Sequence, residues 1–217
     1  MNWSYVVYRM DIINFYTGLL SELVLYYLEQ ASEKSDSDLG RRRLNKGRFL
    51  MNNIILIGMP GAGKSTVGVI LAKVMGYHFI DSDLLIQDRE KCLLKDIIER
   101  DGLEGLIAIE EQVNSSIETE NAVIATGGSV IYGEKAMEHL RSIGTVVYIQ
   151  LSYRTISKRL GNIKQRGVVF REGQSLQSLY EERCPLYEKY AHITIDAEEL
   201  DMEDLMSKIK DTINSYQ

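Results

Sequence analysis

The residues with the clearest chemical purpose follow an apolar run that ends in glycines. The segment from Gly58 to Ser65 reads GMPGAGKS and matches the phosphate-binding pattern G-x-x-x-x-G-K-[ST] at every position. In this pattern, glycines let backbone N–H groups approach phosphate oxygens, and the following helix presents its positive N-terminal end. Lys64 is placed to reach the β- and γ-phosphates, and the Ser65 hydroxyl is placed to ligate Mg²⁺. The sequence therefore predicts a site for ATP with Mg²⁺.

The segments on either side of this loop have the patterns of a strand and a helix. Ile54–Ile57 is a continuous apolar run typical of a buried parallel strand, and Thr66–Met75 carries apolar residues at helical spacing. This strand–loop–helix frame favours a phosphate loop over the alternative, a glycine-rich turn that binds nothing. The predicted nucleotide contacts within the loop are Gly61, Ala62, Gly63, Lys64, Ser65 and Thr66.

Strand and helix patterns alternate from Asn52 to the C-terminus. The predicted strands are Ile54–Ile57, His78–Ile80, Ala122–Ala125, Thr145–Leu151 and His192–Ile195. The predicted helices are Thr66–Met75, Leu84–Ile98, Leu106–Ile117, Lys135–Arg141, Tyr153–Leu160, Leu176–Tyr190 and Met202–Asn214. Such alternation indicates βαβ units, so we expect an α/β fold of the phosphate-loop kinase type, with three layers (α/β/α) around a five-stranded parallel sheet.

Composition and charge narrow the classes of partner. The net charge of −6 argues against non-specific nucleic-acid binding, which needs a basic face. No apolar run is long enough to span a membrane. Cys92 and Cys184 are far apart and lack the spacing of a metal site, which favours a reduced, cytoplasmic compartment. We expect a cytoplasmic monomer that binds a small molecule and neither nucleic acid nor membrane.

Residues 1–50 differ in character from residues 51–217, and we interpret them as a separate N-terminal extension. Tyr5–Leu28 has the composition of an amphipathic helix, and the polar stretch 31–48 is typical of a disordered linker. Met51 stands directly before the first strand, and codons for 46–48 can be chosen to spell a ribosome-binding sequence. We favour a mis-assigned start codon. A membrane-surface anchor and a partner-binding helix remain the alternatives.

Four further motifs give the chain a specific resemblance. They are FIDSDLLI with Asp81 and Asp83, VIATGGSV with Gly127-Gly128, KRLGNIKQRG, and EERCPLYEKYA. In this order and spacing, from about Asn52 to the C-terminus, they resemble the shikimate kinase family of phosphate-loop small-molecule kinases. The resemblance implies an enzyme, a phosphotransferase with an alcohol acceptor, which converts shikimate and ATP to 3-phosphoshikimate in aromatic amino acid biosynthesis.

The resemblance also implies roles at the nucleotide end of the site. Asp81 looks like the carboxylate that holds Mg²⁺ through water beside Ser65. Arg159 resembles the arginine that stacks on adenine. Arg166, between glycines in a basic stretch, resembles a catalytic lid arginine that closes over the phosphates. Seen alone, Arg159 and Arg166 could equally be solvated surface charges.

At the acceptor end the resemblance implies three further contacts. Asp83 looks like the catalytic residue that hydrogen-bonds the acceptor hydroxyl and takes its proton. Gly128 would offer a backbone N–H to the acceptor, and Arg183 looks like a clamp on its carboxylate. The structural alternatives are that Asp81 and Asp83 cap the next helix and that Arg183 is an ordinary surface residue.

The chain departs from the family pattern at the acceptor end. Family members carry G-E-x-x-F-R-x-x-E where this chain has GLEGLIAIE, so Ile107 replaces an arginine that contacts the acceptor carboxylate. Ser129 replaces the third glycine of G-G-G, and Gly167 replaces a proline after the lid arginine. Two alternatives to shikimate phosphorylation therefore stay open: a kinase for a different hydroxy acid, and a nucleotide-binding homologue without kinase activity.

Overall fold

The computed structural model describes residues 52–161, 170–171 and 173–216, so the predicted extension, residues 1–50, lies outside the described residues. Within the described residues, five strands form one sheet in which all neighbours are parallel. The strands are β1 (Asn53–Ile57), β2 (His78–Asp81), β3 (Ala122–Ala125), β4 (Gly144–Gln150) and β5 (Ile193–Asp196), in the spatial order β2-β3-β1-β4-β5.

Helices cover both faces of the sheet, and this three-layer arrangement confirms the predicted α/β/α fold class. They are α1 (Lys64–Met75), α2 (Ser82–Glu90), α3 (Leu94–Asn114), α4 (Glu134–Ile143), α5 (Tyr153–Leu160), α6 (Leu176–Tyr190) and α7 (Met202–Tyr216). A short 3₁₀ turn, Val130–Tyr132, precedes α4. None of the helices described is long and apolar enough to cross a membrane.

The strands follow the physical rule that predicted them. Every residue of β1 and β3 is buried, because parallel strands in the middle of such a sheet are covered by helices on both faces. The edge strand β5 instead alternates buried and exposed residues. β3 has the predicted bounds, and the other four strands differ from their predicted bounds by no more than one residue at either end, as in β4, which runs from Gly144 to Gln150 rather than from Thr145 to Leu151.

The register of the central strands decides where the site can form. Ala125, the last residue of β3, pairs with both Leu56 of β1 and Asp81 of β2. The three strands therefore end side by side, and the segments that follow them leave the sheet at one edge. In open α/β sheets this carboxyl edge is where ligands bind.

Two predicted helices, Leu84–Ile98 and Leu106–Ile117, have different boundaries in the structure. Lys91 takes a left-handed conformation that ends α2, and α3 then runs through to Asn114 with a break at Gly102, where φ is 73° and ψ is −177°. The apolar spacing did not reveal the interruption between α2 and α3, because both helices pack their buried residues into one cluster. This cluster consists of Ile86, Ile97, Leu106 and Val113.

Candidate active site

The predicted phosphate loop connects β1 to α1 in the geometry that its glycines permit. Gly58, Gly61 and Gly63 have φ values of 144°, 80° and 98°, which L-residues with a side chain rarely adopt. Helix α1 begins at Lys64 directly after Gly63, so its first N–H groups and its positive dipole end lie at the loop. The local backbone is therefore built to bind an anion.

Lys64 is held inside this loop. Its side chain is buried, and Nζ donates hydrogen bonds to the carbonyl oxygens of Gly58 at 2.7 Å and Met59 at 3.1 Å. Burial lowers the pKa of Lys64 to about 8, although the negative charge of Asp83 acts in the opposite direction. A phosphate that replaced the two carbonyls would offer this ammonium group a full charge.

A cavity of about 420 Å³ lies against the loop and extends towards α3 and α6. Its loop end is lined by Gly61, Gly63, Lys64, Ser65 and Thr66. Its other end is lined by polar groups of Asp83, Glu110, Gly128, Ser129 and Arg183. Of the predicted loop contacts, Ala62 is buried and is not among the residues that line the cavity. One cavity thus joins both halves of the predicted site.

Asp81 and Asp83 stand at the end of β2 and the start of α2. Oδ1 of Asp81 accepts the N–H of Asp83 at 3.0 Å, so Asp81 caps α2, as the structural alternative supposed. Asp83 nevertheless lines the cavity, and its buried Oδ1 has no hydrogen-bond partner among the described residues. Burial, assisted by the charge of Asp81, raises the pKa of Asp83 to about 6. Capping and a role in the cavity are compatible.

Glu110 is a site residue that the sequence reasoning did not select. It lies on α3, it is only 3% exposed, and its Oε2 has no hydrogen-bond partner in the part of the chain described. Burial raises the pKa of Glu110 to about 7, while a hydrogen bond from Ser129 partly offsets that effect. The available signal was a glutamate retained at the end of the altered segment, on the apolar face of a helix.

Gly127 lets the two buried carboxyl groups come together. A Cβ atom at this position would overlap Oε1 of Glu110 and would lie 2.8 Å from Oδ1 of Asp83. The absence of a side chain therefore leaves room for both acids, and the charge of Asp83 adds to the burial that raises the pKa of Glu110. Such clusters of shifted acids are typical of functional sites.

Arg183 is buried in the site and is not the surface residue that the alternative supposed. It is 4% exposed, and its Nε donates to the hydroxyl of Tyr132 at 3.2 Å. A Cβ atom at Gly128 would lie 3.0 Å from Nη1 of Arg183 and 2.8 Å from Cδ of Pro60. Because Gly128 fills the space between the phosphate loop and this guanidinium group, it brings the two ends of the cavity together.

Of the two remaining predicted arginines, Arg159 contacts the phosphate loop. Arg159 lies at the end of α5, where Nη1 donates to the carbonyl oxygens of Gly61 at 3.4 Å and Ala62 at 3.5 Å. It is therefore next to the phosphate loop, as its predicted role requires. Arg166, together with Gly167, lies outside the described residues.

The acceptor end has an apolar wall, but Ile107 is not part of it. The cavity is lined there by Leu94, Leu103 and Leu106, and Ile107 is half-buried beside them. Arg100 does not supply a replacement cation, because it is exposed and paired with the carboxylates of Glu90 and Asp101 at 2.9 and 2.6 Å.

Oxygen ligands for a metal ion are present but few. The described residues contain no group of three or more acids, histidines or cysteines that could hold a metal by themselves. The Ser65 hydroxyl lines the cavity, and Asp81 lies near enough to change the electrostatics of Lys64 and Asp83. Hard oxygen donors in small number suit Mg²⁺, which is usually held by one or two protein groups together with phosphate and water.

Comparisons with known proteins agree on one family. Residues 60–214 match the family described as shikimate kinase. The chain is 34% identical to the shikimate kinase of a Sulfurihydrogenibium species, over 74% of this chain and 99% of the relative. A solved structure of Acinetobacter baumannii shikimate kinase in complex with shikimate is 34% identical and has a TM-score of 0.70, over 78% of this chain and 96% of that one. Shikimate kinase from Aquifex aeolicus superposes with a TM-score of 0.67 at 32% identity, over 76% and 97% of the two chains.

The raised pKa of Glu110 predicts how stability depends on pH. The folded state holds this proton up to about pH 7, whereas the unfolded chain loses it near the ordinary value of 4.5, so wild-type stability falls as pH rises between these values. Glu110→Gln cannot ionise, so its unfolding free energy should not show this loss. We expect the advantage of the variant over wild type to grow by on the order of 1–3 kcal/mol as the pH rises from about 5 to about 8.

Urea unfolding of both proteins across this pH range measures the difference. Glu118→Gln is the matched control, because it makes the same charge change at an exposed position of the chain. A gain that does not vary with pH, or that Glu118→Gln reproduces, would contradict the raised pKa assigned to buried Glu110.

Proposed function

Because the chain belongs to the shikimate kinase family, we propose that it transfers the γ-phosphoryl group of ATP to a hydroxyl group of shikimate, which gives 3-phosphoshikimate. The observation that carries this proposal is the single cavity that is lined by Lys64 of the phosphate loop, the half-buried acid Asp83 and the buried cation Arg183. Nucleotide binding alone needs the loop, but it does not need an acid and an arginine at the opposite end.

The phosphate loop and α1 bind the donor. Backbone N–H groups from Gly61 to Thr66 contact the phosphates, and the ammonium group of Lys64 moves from the carbonyls of Gly58 and Met59 to the β- and γ-phosphates. Its pKa of about 8 keeps this group mostly charged at neutral pH. Little covalent chemistry is required of the protein in phosphoryl transfer, so positioning and charge neutralisation carry the rate.

Mg²⁺ is the metal that the oxygen donors fit. The Ser65 hydroxyl would ligate it, and Asp81 would hold it through water, since one Asp81 oxygen already caps α2. When bound, the ion neutralises the phosphate charge that develops during transfer.

The acceptor end binds and deprotonates the hydroxyl group. The acceptor oxygen attacks the γ-phosphorus, the bond from that phosphorus to the ADP oxygen breaks, and the hydroxyl proton passes to Asp83. Burial prepares Asp83 for this step, because a pKa of about 6 makes it a better base than an exposed aspartate. Arg183 holds the acceptor carboxylate through its planar guanidinium group, and Gly128 donates its N–H to the acceptor.

Further assignments complete the proposal. Arg159, beside the loop, stacks on adenine, and Arg166 closes over the phosphates during transfer. The enzyme acts as a cytoplasmic monomer in aromatic amino acid biosynthesis, and the two free thiols and the net charge of −6 agree with a reducing compartment and no nucleic-acid partner. Residues 1–50 are dispensable for this activity.

Release of ADP in the presence of shikimate tests the proposal. We expect Mg²⁺-dependent turnover by the full chain, and we expect Lys64→Ala to abolish it while circular dichroism and melting temperature stay close to wild type. Lys73→Ala, an exposed lysine in the last turn of the same helix, is the control and should retain activity. Unchanged turnover in Lys64→Ala would contradict the proposed donor site, and absence of shikimate turnover in wild type would contradict the proposed acceptor.

A second candidate acceptor, a different hydroxy acid, is favoured by the apolar wall of Leu94, Leu103 and Leu106. An acceptor with a smaller or differently placed anion would place its carbon atoms, and not its charge, against this wall. The same assay with a panel of hydroxy acids decides between the two candidate acceptors. Turnover of another hydroxy acid without turnover of shikimate supports the second candidate.

Ile107→Arg provides a second prediction for the shikimate site. Removal of one partner from a buried charge pair costs on the order of 2–5 kcal/mol, so return of a guanidinium group should lower the shikimate KM by roughly tenfold or more, with a smaller change in kcat. Ile107→Leu is the control for packing and should leave KM unchanged. A correctly folded Ile107→Arg protein with no gain in shikimate KM would contradict this reading of the acceptor end.

A further inference from the structure

Two guanidinium groups contact the ring of Tyr132, and only that of Arg183 belongs to the acceptor site. The Cζ atom of Arg183 lies 5.2 Å from the centre of the Tyr132 ring, and the Cζ atom of Arg171 lies 5.6 Å from the same centre. Guanidinium groups bind aromatic faces at such distances. The Tyr132 ring therefore contacts both the acceptor arginine and Arg171, which comes from a separate segment of the chain.

Arg171 also connects the two helices that form the acceptor end. Its Nη1 lies 3.1 Å from the Glu182 carboxylate of α6, and its Nη2 lies 3.6 Å from the Glu104 carboxylate of α3. Helix α6 supplies Arg183, and α3 supplies Glu110 and the leucines of the apolar wall. The guanidinium group thus contacts both helices that line the acceptor end of the cavity, although Arg171 is not itself a lining residue.

The two ion pairs of Arg171 differ in how firmly they are held. Glu182 also accepts hydrogen bonds from the Tyr132 hydroxyl at 2.7 Å and from Gln174 at 2.7 Å, so it is fixed in a network. Glu104 is 78% exposed, and an exposed pair of this kind contributes little stability. Arg171 can therefore keep its contact with Glu182 and exchange Glu104 for another anion.

The charges of the acceptor end supply the reason for such an exchange. Asp83 and Glu110 are two acids at this end, and Lys64 is committed to phosphate under the proposed function. An acceptor carboxylate that enters the cavity can pair with Arg183, the arginine that lines this end. With that one partner the carboxylate would be a buried charge with incomplete pairing, which is costly. Arg100, the arginine of α3, is already paired with Glu90 and Asp101.

We propose that Arg171 is a specificity-determining residue of the acceptor site, where it exchanges Glu104 for the acceptor carboxylate and becomes its second guanidinium partner beside Arg183. This inference rests on the proposed function, because it names a further contact of the same acceptor. Both guanidinium groups contact the Tyr132 ring, which links the position of Arg171 to that of Arg183. Acceptors with a negative charge at this end are thereby selected over neutral analogues of the same shape.

The test compares a charged acceptor with a neutral one. Arg171→Ala should raise the KM for shikimate by roughly tenfold with a smaller change in kcat, because it removes charge-assisted hydrogen bonds to the carboxylate. The KM for the methyl ester of shikimate, which lacks the charge, should not change. Glu104→Gln removes the competing carboxylate and should lower the KM for shikimate. Arg100→Ala is the matched control, because Arg100 is 51% exposed against 49% for Arg171 and is likewise paired with two carboxylates.

The outcomes separate this inference from the proposed function. Wild-type turnover of shikimate with an unchanged KM in Arg171→Ala overturns the inference alone, as does an equal rise for the methyl ester or in Arg100→Ala. Absence of wild-type turnover of shikimate overturns the proposed function and the inference with it. If Arg171→Ala fails to fold by circular dichroism, Glu104→Gln decides: a lowered KM for shikimate alone supports the inference, and an unchanged KM overturns it.

Discussion

Four ionisable groups that line one cavity are the constraint on which the site depends. Lys64, Arg183 and Glu110 are buried, Asp83 is half-buried with one carboxylate oxygen enclosed, and each of the four charges would be costly to place there alone. Their mutual attraction compensates only in part, since the pKa values of both acids are raised and that of Lys64 is lowered. The fold thus loses some free energy of unfolding by desolvating these four side chains. Desolvated charges interact more strongly with a bound substrate, because less water screens them.

The rest of the fold brings these groups together and keeps space between them. Parallel register places the ends of β1, β2 and β3 at one edge, so the loop and Asp83 start from neighbouring strands. Gly127 and Gly128 then leave the volume that the acids, Pro60 and Arg183 occupy. Either glycine would need neighbouring atoms to move if it carried a side chain. The same sheet edge therefore accounts for both halves of the proposed site.

Local sequence patterns predicted the parts of the site that depend on local structure. The phosphate loop follows from glycines in left-handed conformations, and the strands follow from unbroken apolar runs, so both were predicted correctly. The gap between α2 and α3 was missed, because helical spacing continues across it into one cluster. Glu110 was missed for a related reason: its importance comes from burial beside Asp83, and a lone glutamate on a helix normally faces water. Arg171 and Arg183 both contact the ring of Tyr132, which is far from them in sequence, so no local pattern reveals this contact.

The most direct measurement of the central claim is a crystal structure of the full chain with ADP, Mg²⁺ and shikimate. Our account predicts that the acceptor lies in the cavity between the phosphate loop and α6, with a hydroxyl oxygen within about 3 Å of an Asp83 carboxylate oxygen and with its carboxylate on the Arg183 guanidinium group. Shikimate bound elsewhere, or bound in the cavity with its carboxylate turned away from Arg183, would contradict it.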